Sequence, residues 1–297
     1  MYNSSYKTKH KLIKTIVKSK PSKHNKSPYV GDIFSCDSND MGITHMPSLD
    51  LGGKCVNGSE IIVRHKLDSY GNPVKQEYSK QYNTPSCMYI TELVKSPNSH
   101  IWVGAHPAQG ELLFNYYAST KQLPHFQDTK SLIREVSNVA GANMRSDFLV
   151  THDDNTHTLV EIKTIVDCDE DRSSNPVPNL AVFPWGTARQ KDSETGKKVV
   201  SARAIKHVRE LTSISVKERI DPRYPNLKTA ILFMVVREDA YGLFPDYRTC
   251  PIFAQELSNA FNLGVDVYAY NFKMSENGQY DLIGEIPIIF NIDDVFI

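Results

Sequence analysis

The sequence predicts a small all-β unit, a barrel or a sandwich, followed by an α/β domain. Three observations carry that prediction. Before about residue 110, five short segments of β character are separated by Gly, Pro and Asn. Beyond it, helical spacing alternates with apolar strand-like runs. Charge divides at the same place: residues 1–110 hold 14 Lys+Arg against 8 Asp+Glu, and the remainder holds 20 against 26.

In chain order, KLIKTIVK (11–18) is a lysine-studded strand and SKPSKHNKSP (19–28) a basic loop. YVGDIFSC (29–36), SEIIVRHKL (59–67), CMYITELV (87–94) and HIWVGA (100–105) are the next strands. Gly42 and 47–53 read as turns, as does DSYGNP (68–73). GELLFNYYAST (110–120) has Leu112, Leu113, Tyr116 and Tyr117 at helical spacing. SLIREVSNV (131–139) fits a strand or a helix. DFLV (147–150) and TLVEIK (158–163) are strands, and the polar 167–198 stretch is a loop or insertion. VVSARAIKHVRELTSI (199–214) is a helix opened by Ser201, and TAILFMVV (229–236) is a strand buried on both faces. CPIFAQELSNAFNLG (250–264) is a helix ended by Gly264, and VDVYAYNFK (265–273) is the last core strand.

Bulk composition narrows the function classes. The 297 residues carry no net charge, so the whole chain declares no partner, but the first 31 hold eight lysines and no acid. That asymmetry suits a polyanion, as it would a solvated lysine face. Cys36, Cys55, Cys87, Cys168 and Cys250 are scattered without a C-x-x-C. This argues against a disulfide framework or a cysteine-rich zinc site and fits a reducing, intracellular compartment such as cytoplasm or nucleoid. The longest apolar run, Ala230–Val236, is far too short to cross a bilayer, so no membrane partner is expected. The acid-poor start lacks the apolar region of a signal peptide and keeps only a weak likeness to an organelle-targeting sequence. A Gly-rich phosphate loop, a G-x-S-x-G elbow and H-E-x-x-H are all missing, which leaves a small-molecule enzyme without support.

The stretch DFLVTHDDNTHTLVEIK (147–163) carries the chemistry. Strand alternation puts Glu161 and Lys163 on one face, with Val160 and Ile162 on the other. A turn centred on Asp154 sets Asp147 opposite Glu161 on the same side. Two arrangements satisfy these residues. One is a surface hairpin with a Glu–Lys pair facing water. In the other, the two carboxylates hold one Mg²⁺ or Mn²⁺ and Lys163 stabilises charge developing on a scissile phosphate. Asp128-Thr129-Lys130 offers the same acid-x-Lys triplet but no preceding strand, and reads as a loop or helix start.

These residues and their surroundings resemble the sugar fermentation stimulation protein (SfsA) family. The likeness runs over roughly 11–272 and is carried by Arg134-Glu135, MRSDFLV (144–150), LVEIK (159–163), Phe183-Pro184, RAIKHVREL (203–211), LFMVVRED (232–239) and LGVDVYAY (263–270). YVGDI (29–33), THMP (44–47) and WVGAHP (102–107) add looser matches. The resemblance implies an OB-fold-like β-barrel over 1–108, then a restriction-endonuclease-like (PD-(D/E)xK) α/β domain over 109–297. It implies Asp147 and Glu161 as metal ligands, Lys163 as catalytic lysine, and Glu135 and Glu111 as accessory acids. Arg203, Lys206 and His207, on one helix face with Glu210, would hold a phosphate backbone. In the barrel, Lys18, Lys20, Lys23, Lys26 and Tyr29 would engage nucleic acid, DNA being the expected partner. The chain departs from the family pattern after Phe183-Pro184, where Trp185 and an insertion to about Lys198 follow, and at His106 and 47–50. Two functions follow: a divalent-metal-dependent nuclease, or a non-catalytic nucleic-acid-binding regulator on the same fold.

Overall fold

The structure, a computed structural model, describes residues 4–34, 41–47, 51–79, 81, 83–169 and 179–291. Cys36, part of the expected turn at 47–53 and residues 170–178 of the expected loop lie outside them.

The first unit is a closed five-stranded barrel of the OB type. Strands β2 (Leu12–Ser19), β3 (Val30–Phe34) and β4 (Met41–His45) form an antiparallel meander. The other flank of β2 pairs with β5 (Glu60–His65), and β5 with β6 (Tyr89–Lys95). A short parallel pairing of β4 with β6, Thr44 to Tyr89, closes the cylinder, and β7 (Trp102–Gly104) extends β6. Alternation along β2 shows the logic: Thr15, Val17 and Ser19 are buried, whereas Lys14, Ile16 and Lys18 are exposed. Gly42, expected in a turn, instead lies inside β4. A Cβ there would sit 2.9 Å from the Tyr89 ring, so glycine permits the close approach of the strand that closes the barrel.

Preceding these, β1 (Tyr6–Lys7) belongs elsewhere. It pairs with β17 (Gln279–Ile286) at the edge of the second sheet, so the first described strand belongs to the α/β sheet although the barrel strands follow it.

The second unit is built on a seven-stranded sheet. Its strands are β8 (Thr129–Ser137), β9 (Arg145–His152), β10 (His157–Ile165), β14 (Leu227–Val235), β16 (Asp266–Met274), β17 and β1. The central three, β10, β14 and β16, are parallel, and the flanking pairs are antiparallel. Residues 131–139, ambiguous from sequence, are mostly β8. Asp128-Thr129-Lys130 leads into that strand rather than into a loop or helix. The expected last strand, β16, is followed by β17. The 167–198 stretch contains β11 (Leu180–Phe183), parallel to β15 (Gly242–Pro245), and the hairpin strand β12 (Gln190–Lys191), whose partner is β13 (Lys198–Val199).

Both faces of the sheet are covered, as the unbroken apolar run of β14 requires. Val160 and Ile162 of β10 and Ala230, Leu232 and Met234 of β14 pack with Leu113, Phe114 and Tyr117 of helix α1 (Gln109–Ser119). That core is continuous with the barrel interior through Val17, Ile33, Ile61 and Leu93. On the opposite face, Leu159, Ile165, Ile231, Phe233 and Val235 meet Ala204, Val208 and Leu211 of α2 (Ala202–Ser215) and Phe253 and Leu257 of α3 (Pro251–Asn262). Ser201 occupies the N-cap position of α2 without making the cap bond. Gln190 Oε1 accepts the Ala202 N–H instead, at 2.9 Å. Past the end of α3, Gly264 adopts φ +87°, the left-handed conformation that ends a helix. Among the described residues, no helix is long and apolar enough to cross a membrane.

Candidate active site

Strands β9 and β10 meet in the register of a turn centred on Asp154, with Thr151 opposite His157 and Phe148 opposite Val160. Asp154 builds that turn: its Oδ1 accepts the Thr156 N–H at 2.8 Å and the Thr156 hydroxyl at 2.7 Å. One step further along, Asp147 faces Glu161. There the ladder gives way to a side chain, because Asp147 Oδ2 accepts the Ile162 N–H at 2.6 Å. Asp147 is thereby locked onto the strand that carries the other acid.

Glu161 does not face water. It lies on the α2 side of β10 and is 3% exposed. Its Oε1 accepts from both Lys163 Nζ and His207 Nδ1, the latter at 2.6 Å. Arg203 Nε lies 3.4 Å from His207 Nε2 and can only donate, so Nε2 accepts and Nδ1 carries the proton given to Glu161. The second oxygen, Oε2, is buried and has no hydrogen-bond partner among the described residues. A buried carboxylate oxygen left bare is costly, so the site holds an acceptor for which the described residues supply no donor.

The electrostatics agree. Burial pushes Glu161 upward, but the Lys163 charge and the His207 bond outweigh it and hold the carboxyl below its usual value. Burial, and then the Glu161 charge, push Asp147 up to about 7. Two like charges share this cleft and only one ionises easily without a cation. In metal-free protein Asp147 therefore contributes a loss of stability as pH rises from about 4 towards 7, since the unfolded chain releases this proton at the ordinary carboxylate value and the folded chain only near 7. Denaturation in EDTA across that range checks it. Asp147→Asn should flatten the slope; an unchanged slope would mean the proton belongs to another group.

Asp147, Glu161 and Lys163 line an open cleft of about 320 Å³ together with Glu111, Phe183, Ser201 and Arg203. Glu111 reaches it from the first turn of α1. That turn is docked by Thr164, whose hydroxyl donates to Pro107 O and accepts the Gly110 N–H at 3.2 Å. A Cβ at Gly110 would collide with Thr164 Oγ1 and Ile162, so only glycine lets the helix start so close to β10. Glu111 Oε2 accepts from Arg134 Nη2 at 2.9 Å, and that guanidinium lies over the Phe148 ring. Among the described residues, no three His, Cys, Asp or Glu side chains form a ready metal cage.

Glu135 does not join the site. Its φ of +54° takes it out of the β8–β9 ladder between Arg134 and Val136, and its exposed carboxylate pairs with Arg145 at 3.5 Å. His207 is also placed differently from expectation. The stripe Ala204, Val208, Leu211 packs on the sheet and His207 falls within it, buried against Glu161 rather than presented to a phosphate. The two helical stripes overlap at this residue, and the apolar one decides its direction. Arg203 stays exposed on the cleft, and Lys206 is half-buried beside it. Lys18, Lys23, Lys26 and Tyr29 are exposed on the barrel, and Lys20 is half-buried with its ammonium on Pro28 O. Lys18 lies over the Phe34 ring at 5.2 Å. None of these barrel residues lines the carboxylate cleft.

Comparison with known proteins agrees with the fold. Residues 198–278 match the family model described as the sugar fermentation stimulation protein RE domain. A sugar fermentation stimulation protein homolog from Alkaliphilus metalliredigens is 29% identical over 225 residues, covering 74% of this chain and 84% of that protein. One from Synechococcus elongatus is 26% identical over 201 residues, covering 67% and 70%. The structure of Pyrococcus furiosus SfsA in complex with Ca²⁺ superposes with a TM-score of 0.69 at 16% identity, covering 95% of this chain and 97% of that one, a likeness of fold.

Proposed function

We propose that this chain, which is similar to sugar fermentation stimulation protein homologs over 67–74% of its length, is a divalent-metal-dependent nuclease that hydrolyses phosphodiester bonds at the Asp147–Glu161–Lys163 cleft. The observation that carries this reading is the bare, buried Oε2 of Glu161 beside a second carboxylate that resists ionisation. Oxygen donors of this kind suit Mg²⁺ or Mn²⁺, which keep several waters and take one or two carboxylates plus substrate phosphates. That the Pyrococcus protein was solved with Ca²⁺ supports a divalent cation on this fold.

Asp147 and Glu161 would hold the cation, which supplies positive charge to the phosphate and acidifies a water for attack. Lys163, fixed by Glu161, places an ammonium where charge develops on the phosphate in the transition state. Arg203, exposed on the same cleft, holds a phosphate oxygen. His207 acts through Glu161, occupying Oε1 so that Oε2 stays turned to the cation. The barrel, with its exposed lysines and Tyr29, engages the nucleic acid, DNA being the proposed partner.

The function is tested by incubating the protein with labelled DNA and RNA, with Mg²⁺, Mn²⁺ or EDTA, beside Asp147→Ala and Lys163→Ala. Cleavage that needs the cation and both residues is expected. Salt-sensitive binding without cleavage would leave a non-catalytic binding protein. His207 gives a separate expectation. His207→Leu should weaken Mn²⁺ binding by about 10–100-fold, as loss of a ligand-orienting partner does, and His207→Asn, which keeps a donor near the Nδ1 position, should recover part of it. Equal losses in the two variants would argue for a packing role alone.

A further inference from the structure

Beside the carboxylate cleft lies a larger one, of about 600 Å³, between the β8–β9 connection, the first turns of α2 and the β12 strand. Asn138, Asn143, Arg145, Lys191, Arg203 and Lys206 line it, and among the described residues no Asp or Glu does. Arg203 lines both clefts, so the two adjoin at that residue.

The cations here differ from most arginines of the domain. Arg209, Arg219, Arg223, Arg237 and Arg248 each pair with a carboxylate. Among the described residues, Lys191, Arg203 and Lys206 pair with none, and Arg145 has only the exposed contact with Glu135. Glu210, the acid nearest by position on α2, is taken up by Arg219 at 3.1 Å and by the Asn143 N–H. Positive charge without an internal counter-charge, gathered around one concavity, raises the local concentration of anions.

Lys191 is delivered there by a braced hairpin. Gln190, before it, caps α2 through the Ala202 N–H. Asp192, after it, is 2% exposed and accepts from Arg209 at 2.7 Å and from the Thr195 hydroxyl at 2.6 Å.

We propose that this second cleft holds the phosphodiester backbone flanking the scissile phosphate, so that the strand runs from the carboxylate cleft over Arg203 towards Lys191, with the β12–β13 hairpin as a backbone clamp. The direction of the strand rests on the nuclease reading; the anion site does not. The test is the binding of a short labelled DNA in Ca²⁺ across about 50–200 mM salt, for wild type, Lys191→Ala/Lys206→Ala and Asp147→Ala. The double variant should bind more weakly, and its log–log salt slope should be shallower by about 1.5–2, one contact per lysine. Thermal unfolding should match wild type, since neither lysine makes an ion pair among the described residues.

An unchanged slope in the double variant of an enzyme that cleaves would overturn the clamp and leave the nuclease standing. A shallower slope in a protein that never cleaves DNA or RNA in Mg²⁺ or Mn²⁺ would uphold the anion site and overturn the nuclease. Wild-type protein that fails to bind DNA at the lowest salt overturns the clamp outright.

Discussion

Asp147→Ala is expected to lower the rate of phosphodiester cleavage by at least about 10²–10³-fold, the loss typical when one group that stabilises transition-state charge is removed. The reason is geometric. Asp147 is locked by the Ile162 N–H at 2.6 Å onto the strand bearing Glu161, so the two carboxylates face one cleft without a flexible linker between them. Removing one leaves a single buried carboxylate already engaged by Lys163 and His207, a poor ligand set for an ion that needs charge compensation. Asp147→Asn sharpens the test. The amide oxygen keeps the Ile162 bond, so the strand edge is preserved, yet the charge is gone. Its cleavage should fall almost as far, while its thermal stability in EDTA at neutral pH should equal or exceed that of wild type, because the repulsion from Glu161 is relieved. Single-turnover rates together with denaturation curves separate the two effects.

The largest loss of stability is expected at a buried ion pair outside the carboxylate cleft. Lys54 and Asp167 are both buried, with side chains 1% and 0% exposed, and pair at 2.6 Å. Lys54 Nζ also donates to Leu51 O at 3.1 Å. The loop holding Lys54 follows the β4 region of the barrel, and Asp167 lies two residues beyond β10, the strand that carries Glu161 and Lys163. Gly52 permits the approach: it adopts φ +67°, and a Cβ there would lie 2.9 Å from Asp167 Oδ1. Lys54→Ala removes one partner of this buried ion pair and should cost about 3–5 kcal/mol. The reciprocal pair, Lys54→Met with Asp167→Leu, should recover most of that, since apolar side chains of similar size avoid the desolvation of both ions. Urea denaturation of the three proteins checks it. A loss under about 1 kcal/mol in Lys54→Ala would show that water reaches the pair and screens it.

The parts of the fold that were legible in the sequence are those set by local pattern. The β9–β10 register followed from a polar turn between two apolar runs, and the double burial of β14 from a run without polar interruption. What escaped depends on contacts between distant residues. Strand β4 is five residues long and gains its place by closing onto β6, so Gly42 looked like a turn when read alone. Strand β17 keeps only Tyr280 and Ile286 buried and alternates weakly, because it lies next to the edge strand. The site divided in the same way. Asp147, Glu161 and Lys163 sit on one hairpin, and pleat geometry alone brings them together. His207 belongs to a helix 46 residues away, where a polar and an apolar stripe overlap, and only the packing of α2 on the sheet decides which it serves. Glu135 had the right register beside Asp147 and was lost to a positive φ that no side-chain pattern announces.

The central claim is that Asp147 and Glu161 together hold one divalent cation. Calorimetric titration of Mn²⁺ into metal-free protein tests it most directly. Wild type should bind Mn²⁺ at one site per chain with proton release near pH 7, as the Asp147 carboxyl ionises, and Asp147→Ala should lose that site. The same stoichiometry and affinity in both proteins would contradict the account.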